Sequence, residues 1–157
     1  MCQDMTKFIK RAINFLKARY APRGARLSFS GAGEDLIIRE YLTKKGVKNI
    51  TYLDVGAHHP VYGNNTYLFY LSGGKGVLVE PNVELVNVIK SKRPNDICIN
   101  AGVGKEEGEK AFYTFKRNTR NTFSEKEAAA WSKQSGQIAK IEKRAVLPLD
   151  EIINEHF

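Results

Sequence analysis

The chain has 157 residues, enough for one domain with a substantial core and too few for two ordinary ones. Hydrophobic residues make up 42% of it, which excludes wholesale disorder, and 25 Lys and Arg against 17 Asp and Glu leave a formal net charge of +8. Two distant cysteines, Cys2 and Cys98, exclude a disulfide framework or a cysteine zinc site and fit a reducing, cytoplasmic compartment, and no apolar run approaches the ~18 residues of a membrane span.

Residues 6–20 read as an amphipathic helix. Ile9, Ile13, Leu16 and Tyr20 recur at helical spacing, with Lys7, Lys10, Arg11, Lys17 and Arg19 among or opposite them. Such a helix either packs on the domain or lies on an acidic membrane surface or a partner. Pro22 and Gly24 end it, so residues 1–27 form an N-terminal helix and linker and residues 28–157 the domain proper. A second helix is expected over residues 33–45, with Glu34 and Asp35 in its acidic first turn, Leu36, Ile37, Tyr41 and Leu42 inward, and Gly46 as its left-handed stop.

From there strands and helices alternate. Strands are expected over residues 50–55, 76–79 and 96–100, and helices over 66–71 and 83–90, the latter with Leu85, Val88 and Ile89 inward. The strands are nearly continuous apolar runs, as in a parallel sheet covered on both faces, and their alternation with helices predicts a doubly wound α/β sheet. In the tail, residues 111–115 and 146–149 read as extended. Residues 118–123 read as a loop, and 124–134 as a helix capped by Ser124 with Glu127 placed for a capping box. Asp150 is expected to cap a last turn over 151–155.

Chemistry concentrates at the strand ends. In Tyr52-Leu53-Asp54-Val55-Gly56-Ala57-His58-His59-Pro60 a glycine just past a strand lets a ligand approach the backbone, and Asp54 sits where it can accept hydrogen bonds from an amino-acid moiety. Gly76-Val77-Leu78-Val79-Glu80-Pro81 then supplies a carboxylate at the end of the next strand, the place from which both ribose hydroxyls of a nucleoside can be held. A full Gly-x-Gly-x-x-Gly is absent, which argues against a dinucleotide pyrophosphate and an NAD-dependent enzyme. Asn100-Ala101-Gly102 follows the third strand, where Asn100 can offer an amide to a ring and Ala101 and Gly102 leave room. Of the adjacent His58 and His59, one is expected to line the loop and the other to be structural, since neighbouring histidines point in different directions.

These residues resemble the FkbM family of S-adenosyl-L-methionine-dependent methyltransferases. The likeness rests on Ser30-Gly31-Ala32-Gly33-Glu34-Asp35-Leu36-Ile37, on the Asp54 block with Asn64-Asn65-Thr66-Tyr67-Leu68-Phe69-Tyr70, and on the Glu80 block leading to Arg93-Pro94 and Asn100-Ala101-Gly102-Val103-Gly104. It implies a Rossmann-like class I methyltransferase fold and S-adenosyl-L-methionine as cofactor. Asp54, Gly56 and Ala57 would line the methionine part, with His58 and Thr66 beside them. Glu80 would take the ribose, with Pro81 a further cofactor-site residue beside it; Asn82, Asn100 and Ala101 would neighbour the adenosine, and Glu34 and Asp35 would close over the site. No metal site is expected; a base would help to remove the acceptor's hydroxyl proton, and no residue is assigned to it.

Family members methylate hydroxyl groups, often on sugars or secondary metabolites, so the expected acceptor is a carbohydrate or small molecule. They also continue past the block equivalent to Leu149-Asp150-Glu151 into a fourth core strand with Asp-x-Glu-Gly. Ending at Phe157, this chain is expected to lack the C-terminal strands, to be doubtful in catalysis, and to leave a sheet edge for a second copy or a further segment to cover. The alternatives are a cofactor-fold module without catalysis and a nucleic-acid methyltransferase, the latter prompted by the +8 charge. Tyr67, Phe69 and Tyr70 are spaced as helix core rather than as a base-stacking platform, and nucleic acid is not the expected partner.

Overall fold

The computed structural model describes residues 25–116, 118–135 and 138–157, so the helix expected over residues 6–20 lies outside the described residues. Helix α1 (Glu34–Lys44) carries the acidic first turn that opposes the helix dipole. It ends in a Schellman arrangement: Val47 N–H donates to Leu42 O and Gly46 N–H to Thr43 O, with Gly46 at φ 72°. Its buried residue is Asp35, while Ile37 and Tyr41, expected inward, are 70% and 60% exposed. Of the expected inward residues Leu42 does pack against the Tyr52–Phe69–Leu78 cluster and Leu36 is half-buried, so the helix is fastened by a narrow apolar contact together with a polar latch. Asp35 accepts hydrogen bonds from Ser28 Oγ, Phe29 N, Ser30 Oγ and Leu36 N. Burial pushes the Asp35 carboxyl up, and these donors more than offset it, so its pKa lies below the ordinary value.

Strands β1 (Thr51–Val55), β2 (Lys75–Val79) and β3 (Ile97–Ile99) form a parallel sheet in the order β1-β2-β3. Helices α2 (Tyr67–Leu71) and α3 (Val83–Lys92) make the crossovers that parallel pairing requires. Successive residues of β2 face opposite ways. Leu78 packs with Tyr52, Ala57, Phe69 and Ile89 on the α2 and α3 side. Val77 and Val79 pack with Ala101 and with Ile152 of α5 (Leu149–His156) on the other. In α3 the inward set is Leu85, Val86 and Ile89; Leu85 and Ile89 are as expected, and Val86 takes the place of Val88, which is 38% exposed.

After β3 the pattern changes. Strands β4 (Gly102–Gly104), β5 (Gly108–Phe115) and β6 (Ile138–Pro148) form a second sheet in the order β4-β6-β5, with β5 and β6 antiparallel and β4 and β6 parallel. The described residues therefore fold as a mixed α/β structure with two small sheets. Helices lie against both faces of the parallel one, and the further strands that a doubly wound sheet carries beyond β1 are not among them. β6 is far longer than the extended stretch expected at 146–149.

The connection between β5 and β6 holds a 3₁₀ turn (Asn118–Arg120) and α4 (Glu125–Ser135). Ser124 Oγ accepts from Glu127 N at 3.2 Å, the first half of the expected capping box; the Glu127 carboxylate instead accepts from Thr122 Oγ1. The Arg120 guanidinium lies 4.5 Å from the Trp131 ring centroid. Asp150 sits in the first turn of α5, one position inside the helix, and Pro148 is the cap. No helix among the described residues is long and apolar enough to cross a membrane.

Candidate cofactor site

The carboxyl ends of β1, β2 and β3 are pinned level by the backbone. Gly56 N–H and Ala57 N–H both donate to Val79 O, at 2.8 and 3.2 Å, and Glu80 N–H donates to Ile99 O at 3.0 Å. Gly56 adopts φ 72°, a left-handed conformation that glycine enters without steric cost, and His58 follows at φ 52°. This kink turns His58 N–H onto Glu80 Oε2 at 2.9 Å, while Asn82 N–H reaches Glu80 Oε1 at 2.8 Å. Each carboxylate oxygen thus receives one backbone donor and keeps further acceptor capacity. Burial pushes the Glu80 pKa above the ordinary carboxyl value, and the two N–H donors oppose that rise.

Asp54 stands at the end of β1 with one oxygen committed. Its Oδ2 accepts from Thr66 Oγ1 at 2.7 Å and Asn64 Nδ2 at 3.1 Å. Asn64 also donates to Ala57 O, and its own Oδ1 accepts from the N–H groups of Thr66 and Tyr67, capping α2. Behind this loop lies Arg93, fully buried, paired with Asp96 at 2.8 Å. Asp96 accepts in turn from Gly76 N–H and the Tyr52 hydroxyl, which ties the group to the sheet.

A cavity of about 350 Å³ opens at these strand ends, bordered by Gly56, His58 and Gly63, by Glu80 and Pro81, and by Thr119 and Asn121 of the second-sheet connection. A second cavity of about 250 Å³ is bordered by Val55, Val79, Ala101, Val103 and Phe123. Gly56, Pro81, Phe112 and Asn121 border both, so the space around Glu80 adjoins a slot walled by Val55, Val79 and Phe123. Clefts outside the carboxyl ends of parallel strands are the usual ligand sites of such sheets.

Of the residues singled out in the sequence, Gly56, His58, Glu80, Pro81 and Ala101 border this crevice. Asp54, Ala57 and Thr66 stand behind it, Ala57 and Thr66 buried and Thr66 bonded to Asp54. Asn82 caps α3, its Oδ1 accepting from Glu84 N–H, and Asn100 Nδ2 donates to the carbonyls of Glu80 and Pro81. Both hold the β2 turn in shape. Glu34 accepts from Ala32 N–H in the exposed first turn of α1 and borders neither cavity; Asp35 is spent in its latch. No cluster of three or more potential metal ligands occurs among the described residues.

Sequence reasoning missed the wall supplied by Phe112, Thr119, Asn121 and Phe123. One signal for it was present. A Cβ added at Gly102 would lie 2.4 Å from the Phe123 ring, so the glycine after β3 marks where an aromatic side chain crosses the strand end.

The family model described as the methyltransferase FkbM domain matches residues 54–157, more than half of the chain, beginning at the strand-end aspartate. No curated protein and no solved structure matches the chain. With the match covering the loop after β1, Glu80 and the whole second sheet, the chain belongs to the FkbM methyltransferase family.

Proposed function

We propose that the crevice holds S-adenosyl-L-methionine and that the protein serves O-methylation of a hydroxyl on a carbohydrate or small metabolite. Glu80 carries this reading. It is a carboxylate at the mouth of the crevice, 5% exposed, with each oxygen oriented by one backbone N–H and open to one more donor. That arrangement suits the vicinal hydroxyls of a ribose. The slot beside it, with Val79, Ala101 and Phe123, suits a flat adenine ring, and the bare backbone at Gly56 admits the methionine chain next to Asp54. When bound, the cofactor supplies a methyl group already activated as a sulfonium. What remains for the protein is alignment of the acceptor oxygen and exclusion of water.

Calorimetry with S-adenosylhomocysteine tests the assignment. The wild-type chain is expected to bind saturably, and Glu80→Gln at least about tenfold more weakly, since a hydrogen bond to a charged acceptor is worth ~1.5–3 kcal/mol. Equal affinities for the two proteins would refute it. Incubation with methyl-labelled cofactor and separate pools of sugars and RNA distinguishes the acceptor classes by where the label appears.

A further inference from the structure

Arg93 is the largest fully buried side chain, and it borders neither cavity. Its Nε donates to Asp96 Oδ2 at 2.8 Å, Nη1 to Asn64 Oδ1 at 3.0 Å, and Nη2 to Thr66 Oγ1 at 3.0 Å. The rings of Tyr52, Tyr67 and Tyr70 surround it at 5.3 to 6.0 Å. A buried ion pair of this kind is a poor source of stability, because apolar side chains of similar volume serve a core as well. A planar fork of donors does something else: it fixes orientation.

The consequence can be followed atom by atom. With Thr66 Oγ1 accepting from Arg93, its single proton faces Asp54 Oδ2 at 2.7 Å and Asn64 Oδ1 at 3.1 Å, and the shorter contact, to the charged carboxylate, takes it. With Asn64 Oδ1 accepting from Arg93, its amide nitrogen must face Asp54 Oδ2 and Ala57 O. Both bonds land on one oxygen of Asp54, and Oδ1 receives none from any described residue. We propose that Arg93 is a positioning residue of the crevice: through Asn64 and Thr66 it holds the loop over residues 57–66, whose His58 and Gly63 border the crevice, and fixes the Asp54 carboxylate behind that loop with Oδ1 left free. This rests on the cofactor reading above and adds to it a buried cation that acts at two bonds' remove.

Calorimetry with S-adenosylhomocysteine on the full chain, with thermal unfolding alongside, tests the proposal. Thr66→Val removes the hydroxyl at nearly constant volume and is expected to weaken binding about tenfold, whereas Thr66→Ser keeps the hydroxyl and is expected to stay within about threefold of wild type. Arg93→Lys loses the fork and is expected to weaken binding similarly. Combined with Thr66→Val it is expected to cost little further affinity, because the two changes break one path. Wild-type affinity in Thr66→Val, a loss shared by Thr66→Ser, or additive losses in the double variant would each overturn the proposal. If Arg93→Lys does not fold, the Thr66 pair decides. Absence of binding by the wild-type chain, or equal binding by Glu80→Gln, overturns the cofactor reading itself and the proposal with it.

Discussion

His59 shows how one side chain shapes the crevice without bordering it. Its Nδ1 accepts from the N–H groups of both Val61 and Tyr62, at 3.1 and 3.0 Å, and its ring stacks on Tyr62 with centroids 4.8 Å apart. Protonation at Nδ1 would remove the acceptor of both bonds at once. Burial, then the neighbouring His58 and Lys92, hold its pKa below the ordinary 6.5. A histidine whose folded pKa is depressed binds fewer protons when folded than when unfolded. Its contribution to stability is therefore complete above 6.5 and is lost as pH falls from there through the lower folded value. Thermal melting followed from about pH 8 to about pH 5 is expected to show a fall that is smaller in His59→Asn, which keeps an acceptor but does not titrate. Parallel curves for the two proteins would assign the acid sensitivity elsewhere. Asp54, Gly56 and Glu80 were legible in the sequence because strand-end chemistry is local. The roles of Asn64, Arg93 and Asp96 were not, because they depend on which groups burial brings together across 20 to 30 positions of chain.

Among the elements, the parallel unit was readable because its strands are continuous apolar runs separated by helical periods. β6 was not. Its residues alternate between exposed and half-buried, Lys140, Glu142 and Arg144 lie along it, and such a half-solvated strand resembles a polar loop in composition. Yet it anchors the second sheet to the first: Arg144 Nε donates to Pro81 O at 2.9 Å, beside the Asn100 amide on the same carbonyl. The helix α1 misled in part: Leu42 packs inward as its spacing suggested, but Ile37 and Tyr41 face solvent and the Asp35 carboxylate supplies the rest of the attachment. The seam between β4 and the connection after β5 offers a direct test. Gly102→Ala would drive a methyl group into Phe123, whose ring also packs on Phe112 with centroids 4.8 Å apart. Overpacking of this kind costs ~1–3 kcal/mol, and the displaced ring is expected to change ligand affinity as well. Urea unfolding reads the first effect and calorimetry the second. Recovery of stability in Gly102→Ala with Phe123→Leu would locate the clash at that ring.

At the largest scale, the described residues form two sheets sharing one apolar layer, in which Val77, Val79 and Ala101 of the parallel part meet Val103, Leu147 and Ile152 of the rest. The crevice exists because the second sheet is folded back against the strand ends of the first, so its shape depends on residues more than 60 positions apart, such as Pro81 and Arg144. No local pattern encodes that juxtaposition, which is why the sequence pointed to one wall of the site and not to the other.

The turn at residues 118–120 also gives the protein a built-in optical probe. Trp131 is the only indole in the chain, and the Arg120 cation rests on its face between Thr119 and Asn121, two residues that border the crevice. A ligand seated against Asn121 is expected to disturb that cation and shift the emission of the indole. Occupancy of the pocket should then be measurable by titration of intrinsic fluorescence, without a label.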